Sequence, residues 1–153
     1  MLKFENELEI KRPAKEVFQF LSNFENMPKW NYFVVDVKKI TDGQIGLGTT
    51  FRQVRKTDTQ DYKIIEYEPD RKVAVKTIPP YADLTMRFTL SSKENDNTLL
   101  NDQWEFDTGK PAFVERLGGG KIKSAVAENL SKLKELLEAG ETTLQDGRRE
   151  HLK

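Results

Sequence analysis

The chain has 153 residues, with 25 basic and 25 acidic side chains, a formal net charge of zero and a mean hydropathy of -0.68. That balance argues against electrostatic binding to nucleic acid or a membrane surface, and no apolar run is long enough to span a bilayer. Cysteine is absent and the only histidine is His151, which excludes thiolate catalysis and thiolate metal sites and argues against a histidine metal site or a Ser-His-Asp triad.

The length fits one domain with a real core. The opening MLKFENELEIK has no signal-peptide apolar segment, so a cytoplasmic setting is expected. Residues 2 to 11 alternate: Leu2, Phe4, Leu8 and Ile10 on one side, Lys3, Glu5, Glu7, Glu9 and Lys11 on the other. This predicts a half-buried strand. Asn6 is the polar exception on the apolar face, and is either an amide satisfied by its neighbours or a cavity-lining group.

Pro13 suits a helix start, and Val17, Phe18, Phe20 and Leu21 make a short amphipathic helix. Ser22-Asn23-Phe24-Glu25 has capping-box spacing for a second one, closed by Met27, Pro28 and Trp30. Then come strands. YFVVDVKKI, from Tyr32 to Ile40, is rich in strand formers. Asp42-Gly43, Gly46 and Gly48 mark a turn, and Thr49 to Lys56 and DYKIIEYE follow as strands. Ile64 and Ile65 are adjacent, so the alternation is ambiguous there. After the Glu68-Pro69-Asp70-Arg71 turn, Val73, Val75 and Thr77 share a face. Pro79-Pro80-Tyr81 is a loop. Leu84, Met86, Phe88 and Leu90 alternate cleanly, and Leu100, Asp102, Trp104 and Phe106 share the inner face of the last strand.

From about Pro111 to Glu138 the period changes. Ile122, Val126, Leu130, Leu133 and Leu137 form one stripe of a long helix, widened by Ala125 and Leu136, with Gly140 as its stop. Residues 1–140 are read as the folded domain and 141–153 as a polar, mobile tail. Short turns between strands predict an antiparallel sheet. The expected class is α+β: a curved seven-stranded sheet gripping one terminal helix, in the order β-α-α-β-β-β-β-β-β-α.

Several local features bear a family likeness. Ile10-Lys11-Arg12-Pro13-Ala14 with Val17 and Phe18, Pro28-Lys29-Trp30, Gly46-Leu47-Gly48-Thr49, Glu66-Tyr67-Glu68-Pro69 and Leu133 to Glu138 occur in the order found in the START-like, or Bet v 1-like (SRPBCC), superfamily. Over roughly Phe4 to Glu138 the chain resembles its polyketide cyclase/dehydrase-like branch. The resemblance implies a helix-grip fold with an apolar cavity, and members that bind or transport hydrophobic small molecules or, in a minority, act as cyclases or dehydrases. It supplies no catalytic signature to carry over.

Read from the strand faces, the cavity candidates are Asn6, Val75, Thr77, Met86, Phe88, Leu100, Asp102 and Trp104, with Tyr62 and Tyr81 as hydroxyl sources and Ile122 and Val126 from the helix. Asp102 is the sharpest of them. A carboxylate among apolar neighbours costs several kcal/mol, in order of magnitude, unless paired, hydrogen-bonded or protonated. It is a ligand-orienting or acid/base group, or else a strand-end residue near solvent or the partner of an arginine. Gly118-Gly119-Gly120 either loosens the helix start beside a cavity mouth or forms a turn before a helix that begins near Lys121. Trp30, Tyr32 and Phe33 are core or entrance. Arg52, Arg55 and Lys56 read as a solvated strand edge.

Three functions follow. The first is a protein that binds or transports a hydrophobic or amphipathic small molecule such as a lipid or polyketide. The second is a cyclase or dehydrase using a carboxylate, tyrosines and an arginine. The third is a protein-interaction module. No cofactor or metal is expected, and the partner expected is a hydrophobic small molecule rather than nucleic acid.

Overall fold

In the computed structural model, which describes residues 1–153, the alternation of the first segment becomes strand β1 (Leu2–Ile10), its even-numbered side chains turned inward. Pro13 precedes α1 (Ala14–Ser22), which buries Val17, Phe18 and Leu21. The next cap is Asn23, not Ser22. Ser22 ends α1 as a buried residue, while Asn23 Oδ1 accepts from the Glu25 N–H at 3.2 Å and opens a 3-10 helix, Phe24–Lys29.

Six strands follow: β2 (Val34–Lys39), β3 (Thr50–Arg55), β4 (Thr59–Glu68), β5 (Lys72–Thr77), β6 (Leu84–Ser92) and β7 (Thr98–Phe106). Consecutive strands pair antiparallel, and β1 closes onto β7 from Leu2 opposite Phe106 to Ile10 opposite Thr98. The result is one seven-stranded sheet in the order β1-β7-β6-β5-β4-β3-β2. The ambiguity at Ile64-Ile65 is resolved by a register shift between Ile64 and Glu66. One extra residue lets Tyr62 and Ile64 face the core before the bulge and Tyr67 face it afterwards. Tyr67 then meets the Phe18 ring edge-on at 5.4 Å.

The inner face packs on α1, the 3-10 helix and α2 (Ala112–Ala139). Phe24 sits at the centre of that packing, its ring 5.4 Å from Phe51 and 5.6 Å from Tyr62. Leu130, Leu133, Leu136 and Leu137 of α2 are fully buried. Gly140 ends the helix in the left-handed region at φ 83°, where a side chain is disfavoured. The last carbonyls are satisfied from across the fold: Arg12 donates to Leu137 O at 2.9 Å and to Glu138 O at 3.0 Å. A cation there also complements the helix dipole.

Two expectations are corrected. Gly118, Gly119 and Gly120 are not a turn; the helix runs through them from Ala112. The segment 141–153 is not a loose tail. It forms a hairpin of β8 (Glu141–Thr143) and β9 (Arg149–His151), with Thr142 and Leu144 buried. Arg148 donates to Pro28 O at 2.7 Å, tying the hairpin to the 3-10 helix. Asp146-Gly147 supplies the turn. No helix is long and apolar enough to cross a membrane.

Candidate functional site

The C-terminal half of α2 lies flush on the sheet; its middle does not. There a cavity of about 370 Å³ lies between helix and sheet. Its walls come from every layer. The strands contribute Tyr62, Val75, Thr77, Met86, Phe88 and Trp104, and the helix contributes Ile122, Ala125, Val126 and Asn129. Trp30 and Met27 close it from the 3-10 helix side. Register explains the strand set: Met86 pairs with both Val75 and Trp104, so the three lie in one row across β5, β6 and β7. Trp104 is held in place by the Phe4 ring, stacked at 5.4 Å.

Asp102 is the chemical centre of this space. It sits on β7 opposite Phe88, only 2% exposed. Neither bland expectation fits it: it is not at a wet strand end and no arginine reaches it. Its single hydrogen bond is from the Trp104 indole N–H to Oδ2 at 3.2 Å. Oδ1 has no partner. Burial pushes its pKa up to about 7, with the indole N–H pulling slightly the other way. Near neutral pH the carboxyl is therefore poised between acid and carboxylate.

Other polar atoms at the cavity differ in state. Thr77 Oγ1 is fully occupied, donating to Ala82 O at 2.7 Å and accepting from the Leu84 N–H at 3.0 Å. The Tyr62 hydroxyl is unpartnered, and burial raises its pKa so that it stays protonated. Gln53 Oε1, also on the lining, has no partner either. Asn129 Oδ1 accepts from Gln145 Nε2 at 2.9 Å, which brings the C-terminal hairpin to the edge of the site.

Of the sequence candidates, the structure gathers Tyr62, Val75, Thr77, Met86, Phe88, Asp102, Trp104, Ile122 and Val126 around this cavity. Three lie elsewhere. Leu100 is solid core, paired with Leu8 and Leu90. Asn6 donates to Lys123 O at 3.3 Å, an amide satisfied by the helix backbone. Tyr81 stays in the loop between β5 and β6. Phe33, 40% exposed, lines the mouth with Arg55 and Lys56. Both cations are engaged there: Arg55 forms a two-pronged pair with Asp58 at 2.7 and 2.9 Å. Lys56 lies 3.7 Å from Asp146 and 4.8 Å above the Tyr32 ring.

Gln53, Gln60 and Asn129 were missed by sequence reasoning, whereas Phe33 takes the entrance position that was one of its two readings. A signal existed for each of the three. Gln53 keeps step with Phe51, Gln60 with Tyr62 and Ile64, and Asn129 with Val126 at helical spacing.

The comparisons with known proteins agree with this architecture. The family model described as polyketide cyclase/dehydrase and lipid transport matches residues 1–138. The solution structure of the Aha1 dimer from Colwellia psychrerythraea is 19% identical, with a TM-score of 0.70 over 92% of this chain and 98% of that one. A START superfamily protein from Mycobacterium smegmatis is 16% identical, with a TM-score of 0.70 over 90% of this chain and 99% of that one. The di-domain ARO/CYC BexL from the BE-7585A biosynthetic pathway is 15% identical, with a TM-score of 0.67 over 90% of this chain and 48% of that one. At these identities the likeness to solved structures is one of fold. Among curated proteins, none matches this sequence.

Proposed function

Because this chain belongs to the polyketide cyclase/dehydrase and lipid transport family, within the START-like, Bet v 1-like superfamily, we propose that it binds a hydrophobic or amphipathic small molecule between its sheet and its long helix. One observation carries this reading: the cavity of about 370 Å³, walled mainly by Val75, Met86, Phe88, Trp104, Ile122 and Val126. A fold that fails to fill its interior forgoes packing that side chains would otherwise supply. A guest of matching polarity restores it, and the volume lies in the range of small-molecule sites. The proposed setting is the cytoplasm.

The test is native mass spectrometry of protein purified without detergent, alongside an Ala125→Phe variant. Ala125 lies on the lining, and a phenyl ring there fills part of the space. The expected result is a bound apolar molecule in the wild type that is lost in the variant. Equal occupancy in both proteins would place the guest elsewhere and overturn the proposal.

A second reading, a cyclase or dehydrase, is favoured by Asp102 alone. A buried carboxyl whose pKa lies at about 7 suits proton transfer near neutrality. Turnover of a polyketide substrate that disappears in Asp102→Asn, with affinity unchanged, would establish the enzyme over the binder.

A further inference from the structure

The amide side chains on the cavity wall describe the guest more closely than its volume does. Gln53 and Gln60 stand opposite each other on β3 and β4, each only 7% exposed and each on the lining. A cross-strand pair of this kind has its Cβ atoms about 5 Å apart. Asn129, 4% exposed, joins the lining from α2, and Asn31 joins it from the segment before β2. Amides buried this deeply are ordinarily hydrogen-bonded throughout.

Here the donors are left over. Asn31 Oδ1 accepts from the Phe33 N–H at 3.1 Å, and Asn129 Oδ1 accepts from Gln145 Nε2 at 2.9 Å. In both, the oxygen is occupied and the amide nitrogen is unused. In Gln53 the sealed atom is the oxygen, Oε1, and the nitrogen end stays open. Gln60 makes no side-chain hydrogen bond, and neither of its polar atoms is sealed in. A donor on the guest would therefore find only Gln60 Oε1. A carbonyl or carboxylate oxygen, with two lone pairs, can take two of the N–H groups at once.

The polar and apolar linings lie at different ends. The amides belong to β3, β4 and their surroundings, whereas Val75, Met86 and Trp104 belong to β5, β6 and β7. From β4 to β7 is three strand spacings, roughly 14 Å along the sheet. Asp102, the one acidic side chain on the lining, is at the far end on β7. The charged lining residues near the amides are Arg55 and Lys56. Their acidic partners, Asp58 and Asp146, lie outside the lining. An oxygen-bearing head group is favoured at this end and a cationic one is not.

We propose that the guest is amphipathic, with its apolar body against Val75, Met86 and Trp104 and a carbonyl or carboxylate head group that accepts from the side-chain amides of Gln53 and Gln60. This rests on the cavity reading above and names the head group its guest carries.

Calorimetric titration near neutral pH tests it with probes of nearly one shape: 2-acetylnaphthalene, 2-naphthoate, 2-isopropenylnaphthalene and 1-(2-naphthyl)ethylammonium. The isopropenyl compound copies the ketone without its oxygen and is the more hydrophobic, so a cavity that senses only apolar surface prefers it. In the wild type the ketone or the carboxylate is expected ahead of it, and the ammonium is expected not to bind. Whichever of the two oxygen probes leads tells a neutral carbonyl from an anionic head group. In Gln53→Leu and in Gln60→Leu the affinity for the leading oxygen probe falls about tenfold, while the isopropenyl compound stays within about twofold. Should a variant not fold, as judged by circular dichroism, the wild-type order decides by itself. The isopropenyl compound ahead of both oxygen probes overturns the head-group assignment and leaves the cavity reading standing. So does tight binding of the ammonium, and so do folded variants that keep the wild-type preference. Failure of every probe to bind the wild type overturns the cavity reading itself.

Discussion

Asp102 shows what one buried carboxyl does to a small protein. Its neighbours across the sheet are Phe88 on one side and Asn6 on the other, so no charge compensates it. Desolvation therefore dominates, and its pKa rises to about 7 from an ordinary value near 3.8. The folded state then holds a proton that the unfolded chain releases. Asp102 is cost-free below the unfolded pKa, and its stability contribution is lost as pH rises through about 7. Urea melts of wild type and Asp102→Asn should coincide near pH 4 and diverge as pH rises to about 7. The variant should become the more stable, by roughly 4 kcal/mol at most. A difference that is constant across this range would mean that Asp102 does not titrate as described. A contrasting case lies on the outer face. Glu66 and Arg87 pair at 2.7 and 3.2 Å from β4 and β6, flanking Ala74 on β5 in register. The pair covers Ala74, which is why an outward-facing alanine is fully buried.

Among the elements, α2 is the one with two unlike halves. Its C-terminal half is held by a buried leucine row and by Arg12 on its last carbonyls. Its first turns contain three consecutive glycines and expose Phe113 and Leu117, at 62% and 80%. The glycines are not equivalent. At Gly118 and Gly120 an added Cβ meets nothing within 4 Å, whereas at Gly119 it would lie 2.7 Å from Leu2 Cδ1. Gly118→Ala and Gly120→Ala should each raise stability by about 1 kcal/mol through helix propensity alone. Gly119→Ala should gain less, because Leu2 must move aside. Chemical denaturation of the three variants checks this. Equal gains at all three positions would show that Leu2 does not pack there.

At the scale of the molecule, the sheet and helix make one core with one soft place in it. Filling that place couples ligand binding to global stability. A neutral probe present at a hundred times its dissociation constant adds about 2.7 kcal/mol, roughly 5–10 °C in Tm for a domain of this size. The shift should grow with the logarithm of probe concentration and be abolished in Ala125→Phe. A Tm that ignores the probe would show that the folded protein does not bind it. The C-terminal hairpin belongs to this scale as well. It joins α2 through Gln145 and Asn129, the 3-10 helix through Arg148 and Pro28, and the cavity mouth through Asp146 and Lys56. These contacts hold three separate parts of the fold in fixed relation around the site.

The sequence by itself determined the seven strands of the sheet, the long helix and, outside the Ile64-Ile65 stretch, the side most of their residues face. Those follow from periods of two and 3.6, which side-chain burial enforces locally. It therefore placed Asp102, Trp104, Met86 and Val126 toward the same interior. It did not determine the cap at Asn23, the bulge at Ile64-Ile65 or the hairpin after Gly140, where an apolar signal is absent or doubled. Nor did it separate Leu100, which is packed, from Asp102, two residues on, which borders open space. Only tertiary structure decided that, because a void is made by how far the bent sheet stands from the helix. That distance is set jointly by residues far apart in the chain.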